Sequence, residues 1–299
     1  MPTVNDEIVH REQLWKTLVD SGGPNSVLPI LLRQLGIYGG AQGIWVDKER
    51  TIALTPDGNG VAVGLLHTSS VYPDELSDNG IIYHYPVTER PGNRDQSEVT
   101  ATKAAGDLSV PIFLITRPAP NSNFRDVHKG WVEGWDDRSQ QFWISFEESP
   151  PEQLITSPSE GEPFTLHGRQ SERRTQTVVR PEQQRFRFLV FQRYGPRCAV
   201  CDVEIIELLE AAHIIPTAAN GSDDPRNGLV LCALHHKAFD SCLFGIEPQS
   251  RKLHYRRSGP NDSQLKITKQ NLNHLTLRPH DDALKWAWRK YTQYNRVQQ

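Results

Sequence analysis

The chain has 299 residues, 37% apolar and 23% charged, a composition that suits a soluble globular protein of about two domains. No run of eighteen apolar residues occurs, which argues against a membrane-spanning helix, and "MPTVNDEIVHREQLWK" lacks the basic-then-apolar pattern of a signal peptide, so no membrane partner and a cytoplasmic location are expected. The net charge of −3 conceals an asymmetry: residues 168–299 carry 21 Lys and Arg against 13 Asp and Glu, whereas residues 1–167 carry 12 against 23. A basic half beside an acidic half points to a polyanionic partner for the C-terminal part.

In chain order, a helix is expected over 5–20. The runs "GIWVDKERTIAL", "GVAVGLLHT", "GIIYHYPV", "SVPIFLIT", "GWVEGW" and "QFWISFEE" are rich in β-branched and aromatic residues. Gly, Pro, Asn and Asp punctuate them, which predicts short strands of a curved sheet or barrel. "SEVTATKAAGDL" reads as a helix with Ser97 as its cap. Residues 1–147 therefore form one domain. Residues 148–178 are rich in Pro, Ser, Glu and Thr, lack apolar periodicity and read as a flexible linker.

Residues 179–299 form the second domain. "RPEQQRFRFLVFQRYG" opens it as a helix, with Pro181 in the first turn and Phe186, Leu189, Val190 and Arg193 on one face. "DDALKWAWRKYTQYNRVQQ" closes it as a helix with acids first and bases later, the order a helix dipole favours. The fold class is α+β.

All four cysteines, Cys198, Cys201, Cys232 and Cys242, fall in this domain. Such clustering is unlike a disulfide scaffold. Cys198 and Cys201 form a CxxC, and Cys232 and His235 form a CxxH some thirty residues later. Two such pairs make a Cys3His tetrahedral site for a structural zinc ion. Cys242 lies outside the spacing and reads as a small core residue. Successive helical residues are about 100° apart, so His236 cannot easily face the same ion as His235. His236 shares a face with Asp240, a pair suited to a second, harder divalent ion such as Mg2+ or Mn2+. By its apolar surroundings alone His213 reads as a core histidine. Asn227, before Gly228, reads as a turn residue.

Taken together, "CAVCDVEIIELLEAAHIIP" and "RNGLVLCALHHKAFD" resemble the HNH endonuclease family over about residues 178–250. That family is built on a ββα-metal hairpin and helix, here in its zinc-stapled form. The resemblance implies that His213 is the general base, that Asn227 holds the loop that orients it, and that His236 binds the catalytic divalent ion. Many members place an aspartate directly before the first histidine as a further ligand. This chain has Ala212 there, which leaves Asp240 as the candidate second ligand and Glu210 as the runner-up. The chemistry fits: a neutral histidine near pH 7 can take a proton from water, and a divalent ion can neutralise charge on the phosphate. The runs "RQSERR", "RKLHYRR" and "KWAWRKYTQYNR" suit contacts to DNA phosphates.

Over about residues 30–146, "LGIYGGAQGIW", "VYPDELSDNGIIYHY", "NRDQSEVTATKAAGDLSVPIFLITR" and "HKGWVEGWDDRSQQFW" resemble, in order and spacing, the SRA domain of the PUA-like superfamily. That resemblance implies a reader that flips a modified cytosine out of the duplex and stacks it on aromatic rings. By position Tyr72, Asp74, Tyr83 and Tyr85 would form the pocket, and Tyr38 and Gln42 would probe the DNA. The acidic balance of this half opposes DNA binding unless Arg33, Arg90, Arg94, Lys103 and Arg117 share one face.

The expectation is a type IV-like, modification-dependent restriction endonuclease acting on double-stranded DNA that carries modified bases, such as 5-methylcytosine. One HNH site cuts one strand, so double-strand cleavage calls for a homodimer or two recruited copies. The rivals are a nuclease whose N-terminal domain senses another ligand or partner, and a zinc-stabilised DNA-binding protein without catalysis.

Overall fold

The computed structural model describes residues 2–39, 43–67, 75–88, 92–167 and 181–297, with the side chains of 181, 182, 296 and 297 left aside. The chain divides into two compact units, Met1–Ile155 and Thr156–Gln299. Among the described residues no helix is long and apolar enough to cross a membrane.

The first unit opens with helix α1 (Val4–Asp20), started by a capping box between Thr3 and Asp6, and a short α2 (Pro29–Gln34). Strand β1 (Ile44–Val46) and helix α3 (Lys48–Thr51) follow. Next come β2 (Ala62–Leu66), β3 (Glu75–Ser77), β4 (Gly80–His84), helix α4 (Arg94–Asp107), β5 (Ile112–Thr116), β6 (Asp126–Asp136) and β7 (Gln141–Ser145). They form one sheet in the order β1-β2-β5-β6-β7-β4-β3, with β2 and β5 parallel and the other neighbours antiparallel.

The sheet curls strongly. β5, β6 and β7 lie between β2 and β4, yet the Tyr83 hydroxyl of β4 reaches the carbonyls of Leu66 at 3.2 Å and Gly43 at 3.4 Å. Register shifts within β1 and β6 add local twist. Among the described residues the end strands β1 and β3 do not pair, so the sheet is curved without closing as a ladder. Helix α4 packs on β1, β2 and β6, and α1 sends Leu18 into a core with Val27, Tyr38, Val63 and Phe113. Buried Arg11 ties α1 to the sheet through Glu7 and the carbonyls of Ala62 and Pro111.

Two local expectations need correction. "GIWVDKERTIAL" is not a single strand: the Asp47 side chain accepts from the Arg50 N–H and starts α3 directly after β1. Ser97 does not cap α4. The helix begins at Arg94 after Asn93, and Asp95 in its first turn accepts from the Thr88 N–H and hydroxyl.

The second unit contains α5 (Pro181–Tyr194), β8 (Leu209–His213), β9 (Gly228–Cys232), α6 (Ala233–Asp240), β10 (Phe244–Ile246), β11 (Leu253–Tyr255), α7 (Asp262–Leu265) and α8 (Asp281–Val297). β8 and β9 form an antiparallel pair running from Leu209 opposite Cys232 to His213 opposite Gly228. α6 follows β9 without a gap, giving the ββα order. Phe186 and Val190 of α5, Leu229 and Leu231 of β9, Phe239 of α6 and Leu284 of α8 share one core.

Part of the 148–178 segment belongs to this folded unit. Ser157 N–H donates to Gln192, Arg193 donates to the Pro158 carbonyl at 2.7 Å, and Leu166 packs on the core. The composition reads as linker because the segment is held mainly through backbone carbonyls, which leave no side-chain pattern.

Candidate active site and metal centre

Cys198, Cys201, Cys232 and His235 are all buried, and their ligand atoms lie within 4.8 Å of one another. The His235 Nδ1 faces the thiols, 3.1 Å from Cys232 Sγ and 3.5 Å from Cys198 Sγ. Its Nε2 is 3.0 Å from the Leu265 carbonyl, which fixes the ring with Nδ1 as the free ligand atom. Burial pushes the Cys201 thiol up to about 12 and raises Cys232 as well. Burial would raise Cys198 too, but hydrogen bonds from His235 and from the backbone at Val200 and Cys232 bring it down to about 6. Three crowded sulfurs and one imidazole are the donor set of a tetrahedral metal, and a bound cation would stabilise their ionised forms. Cys242 is buried just past α6, in the left-handed conformation that ends the helix.

On the hairpin, His213 ends β8. Its ring stacks on Phe186 with centroids 3.7 Å apart and planes within 10°. Its Nε2 lies 2.9 Å from Asp223 Oδ1. The stack depends on Gly228 opposite His213: a Cβ there would meet Val190 at 2.5 Å and Phe186 at 2.8 Å. Asn227 is fully buried and spans the loop. Its Oδ1 accepts from the Ile215 N–H at 2.9 Å, and its Nδ2 donates to the carbonyls of Ile215 at 3.2 Å and Ser222 at 2.8 Å.

His236 is on the outer side of α6, away from the buried cysteines. Its Nδ1 is 2.5 Å from Glu210 Oε2, and its Nε2 is 3.6 Å from Asp240 Oδ2. Both carboxylate candidates therefore reach the same imidazole, from opposite ring nitrogens. Ala212, where many HNH sequences have aspartate, is packed in the core.

The sequence reading missed Asp223 and Phe186 as partners of His213. "GSDDPRNG" does contain Asp223, ten residues after the histidine, but nothing in its spacing separates it from Asp224. Asp224 instead caps the turn before Asn227 and binds Arg226.

In the first unit, Tyr72, Asp74 and Gln42 lie outside the described residues. Tyr38, Tyr83 and Tyr85 are buried in its cores. Tyr83 closes the curl of the sheet, and Tyr85 donates to Asp137 at 3.0 Å. Lys103 also donates to Asp137, at 2.6 Å, and lies over the rings of Tyr85 and Trp135. Arg94 pairs with Glu98, Arg117 bonds the Pro120 carbonyl, and Arg90 lies outside the described residues.

Residues 198–247 match the family model described as HNH endonuclease. The second unit carries an HNH endonuclease domain. The enzyme class expected from the cysteine, histidine and asparagine pattern is thereby met. The matched span holds the cysteine pairs, both strands of the hairpin and α6. Among solved structures, the chain is similar to a modification-dependent TagI restriction endonuclease at 16% identity and a TM-score of 0.36, over 89% of this chain and 91% of that one. It is also similar to the SRA domain of SUVH5 in complex with fully methylated CG DNA, at 20% identity and a TM-score of 0.29, over 42% of this chain and 88% of that one. Likeness at this level carries no weight for function. None of the curated proteins compared with the chain matches it.

Proposed function

We propose that the chain is a modification-dependent restriction endonuclease, in which the N-terminal unit selects DNA carrying modified bases and the HNH domain hydrolyses the phosphodiester. The observation that carries the catalytic part is the seating of His213 between Phe186 and Asp223. An imidazole whose Nε2–H donates to Asp223 keeps Nδ1 as the proton acceptor. Water would then add to phosphorus as His213 Nδ1 takes its proton, and the bond from phosphorus to the 3′ oxygen would break. The departing oxygen would take a proton from solvent water to leave a 3′ hydroxyl, while His213 later returns its own proton to solvent. Asn227 binds both polar groups of the Ile215 peptide, two residues after His213, and so fixes the end of the strand.

Cys198, Cys201, Cys232 and His235 would hold a structural zinc ion, which would tie the end of β9 and the start of α6 to the Cys198–Cys201 segment at the edge of the core. His236 with Asp240 would hold the catalytic ion. Their 3.6 Å separation is too long for a hydrogen bond and short enough for both atoms to reach one cation. Glu210 on the other ring nitrogen then orients His236, the usual role of a carboxylate behind a ligating histidine. A bound Mg2+ or Mn2+ supplies charge neutralisation at the phosphate and the departing oxygen.

The reader assignment rests on the SRA-like order of motifs over residues 30–146, with modified cytosine as the target and Tyr72, Asp74 and Gln42 as the contacts to examine. A second reading, in which this unit senses another ligand or a partner, is favoured by two observations. Tyr38, Tyr83 and Tyr85 are already packed, and residues 1–167 are acidic. Digestion of plasmids carrying different base modifications, beside an unmodified control and with His213→Ala in parallel, tests both parts. Faster cleavage of one modified plasmid supports the first reading, and equal rates on all of them support the second.

A further inference from the structure

Arg226 precedes Asn227 and is only 2% exposed. Its Nε and Nη2 hold the Asp224 carboxylate at 2.9 and 2.6 Å. The guanidinium also donates to three carbonyls more than sixty residues earlier, from Nη1 to Ser159 at 3.2 Å and Glu162 at 2.7 Å and from Nη2 to Pro163 at 2.7 Å. Phe164 lies under the same guanidinium and stacks on His280, with ring centroids 3.8 Å apart. His280 in turn donates its N–H to the Arg226 carbonyl at 2.9 Å. On the other side Arg193 donates to the Pro158 carbonyl at 2.7 Å and to the Arg278 carbonyl at 2.8 Å.

The segment ends on the catalytic loop. The Leu166 carbonyl accepts from the Ser222 N–H at 3.4 Å, and His167 bridges Gly221 in antiparallel fashion. Gly221 and Ser222 directly precede Asp223. They are held by the hairpin loop as well: Asn227 holds the Ser222 carbonyl, and Gly221 lies so close to Ile215 that a Cβ would collide with its carbonyl oxygen. The backbone that presents Asp223 is thus clamped between the hairpin and residues 157–167.

We propose that residues 157–167 are a positioning part of the nuclease, holding the loop at Gly221 and Ser222 so that the Asp223 carboxylate meets His213. This inference rests on His213 as the general base. The chain leaving the first unit runs directly into the support of the catalytic loop, so displacing this strap would be felt at the reacting imidazole. A carboxylate carried on an exposed loop without these anchors would sample many placements, and small displacements of a reacting group cost large factors in rate.

A double-mutant cycle in the full chain tests it, with plasmid nicking at saturating DNA, KM, zinc content and melting as readouts. Phe164→Ala is expected to lower kcat by about tenfold while KM and zinc content hold. Asp223→Ala lowers kcat too, and adding Phe164→Ala to it should change kcat less than about twofold, because the strap acts through that carboxylate. Equal losses with and without Asp223, or an unchanged kcat in a folded Phe164→Ala protein, would overturn the proposal. Should Phe164→Ala fail to fold, Arg226→Lys, which keeps the charge but loses the fork, is read through the same cycle. A His213→Ala protein that nicks at the wild-type rate would sink the catalytic reading itself. A dead His213→Ala protein with an additive cycle sinks only the strap.

Discussion

His213 and Asp223 meet at 2.9 Å, Nε2 to Oδ1, although one ends a strand and the other sits in a loop ten residues later. The contact gives the imidazole a defined tautomer and, with the Phe186 stack, a defined plane. The two residues therefore differ in what they do. Replacing His213 by alanine should lower the nicking rate by about 10²–10⁴-fold, the usual contribution of a general base. Asp223→Ala should cost less, since the base remains. Zinc content and melting temperature should stay at wild-type values in both, and rate assays beside metal analysis check this.

His235 and His236 are neighbours with separate tasks. His235→Ala opens the buried cysteine group and should release zinc and unfold the second unit, because metal binding of this kind contributes folding free energy directly. His236→Ala removes the contacts to Glu210 and Asp240, and should give a folded, zinc-loaded protein without nicking activity. Zinc stoichiometry and circular dichroism of the two variants decide it. Loss of zinc in His236→Ala would refute the division.

Asn227 and Gly221 hold the loop by different means. Asn227→Ala leaves buried groups of Ile215 and Ser222 without partners, at about 1–3 kcal/mol for each such group. Gly221→Ala places a methyl carbon inside the Ile215 carbonyl and must displace the loop. Both should lower the melting temperature as well as the rate, which separates them from His213→Ala.

His280 ties stability to pH. Burial, with a lesser contribution from Arg226, holds its pKa below the ordinary 6.5 despite the opposing pull of Asp282. The unfolded chain therefore takes up this proton more readily. The stability is complete above pH 6.5 and is lost as the pH falls below it. Melting curves taken from about pH 7.5 down to about 5.5 should show a smaller drop for His280→Asn than for wild type if His280 contributes as described.

The two units differ in how far the chain discloses them. Cysteine spacing and the adjacent histidines mark the HNH domain because metal chelation demands particular residues at fixed intervals. Asn227, by contrast, looks like a simple turn residue and in fact ends the long loop between β8 and β9, which its side chain ties together. The partners of those residues are hidden. Asp223 is one of two adjacent acids, and only the clamped loop sets it against His213. Arg226 reads as an ordinary charge, yet it is buried by carbonyls that any sequence would supply. In the first unit the strand runs are legible, but nothing in them shows that the curl of the sheet brings the Tyr83 hydroxyl to the Leu66 carbonyl. Strand alternation does not encode that curvature.

Whether an HNH site built on His213 cuts DNA chosen by its modification is decided by one comparison of cleavage rates in Mg2+ or Mn2+. Matched plasmids, unmodified or carrying 5-methylcytosine, 5-hydroxymethylcytosine, glucosylated 5-hydroxymethylcytosine, N6-methyladenine or phosphorothioate, are incubated with wild type and with His213→Ala. Wild type should cleave at least one modified plasmid rapidly and its unmodified match slowly, and His213→Ala should cleave neither. Equal rates across the whole panel, or full activity without His213, would contradict this.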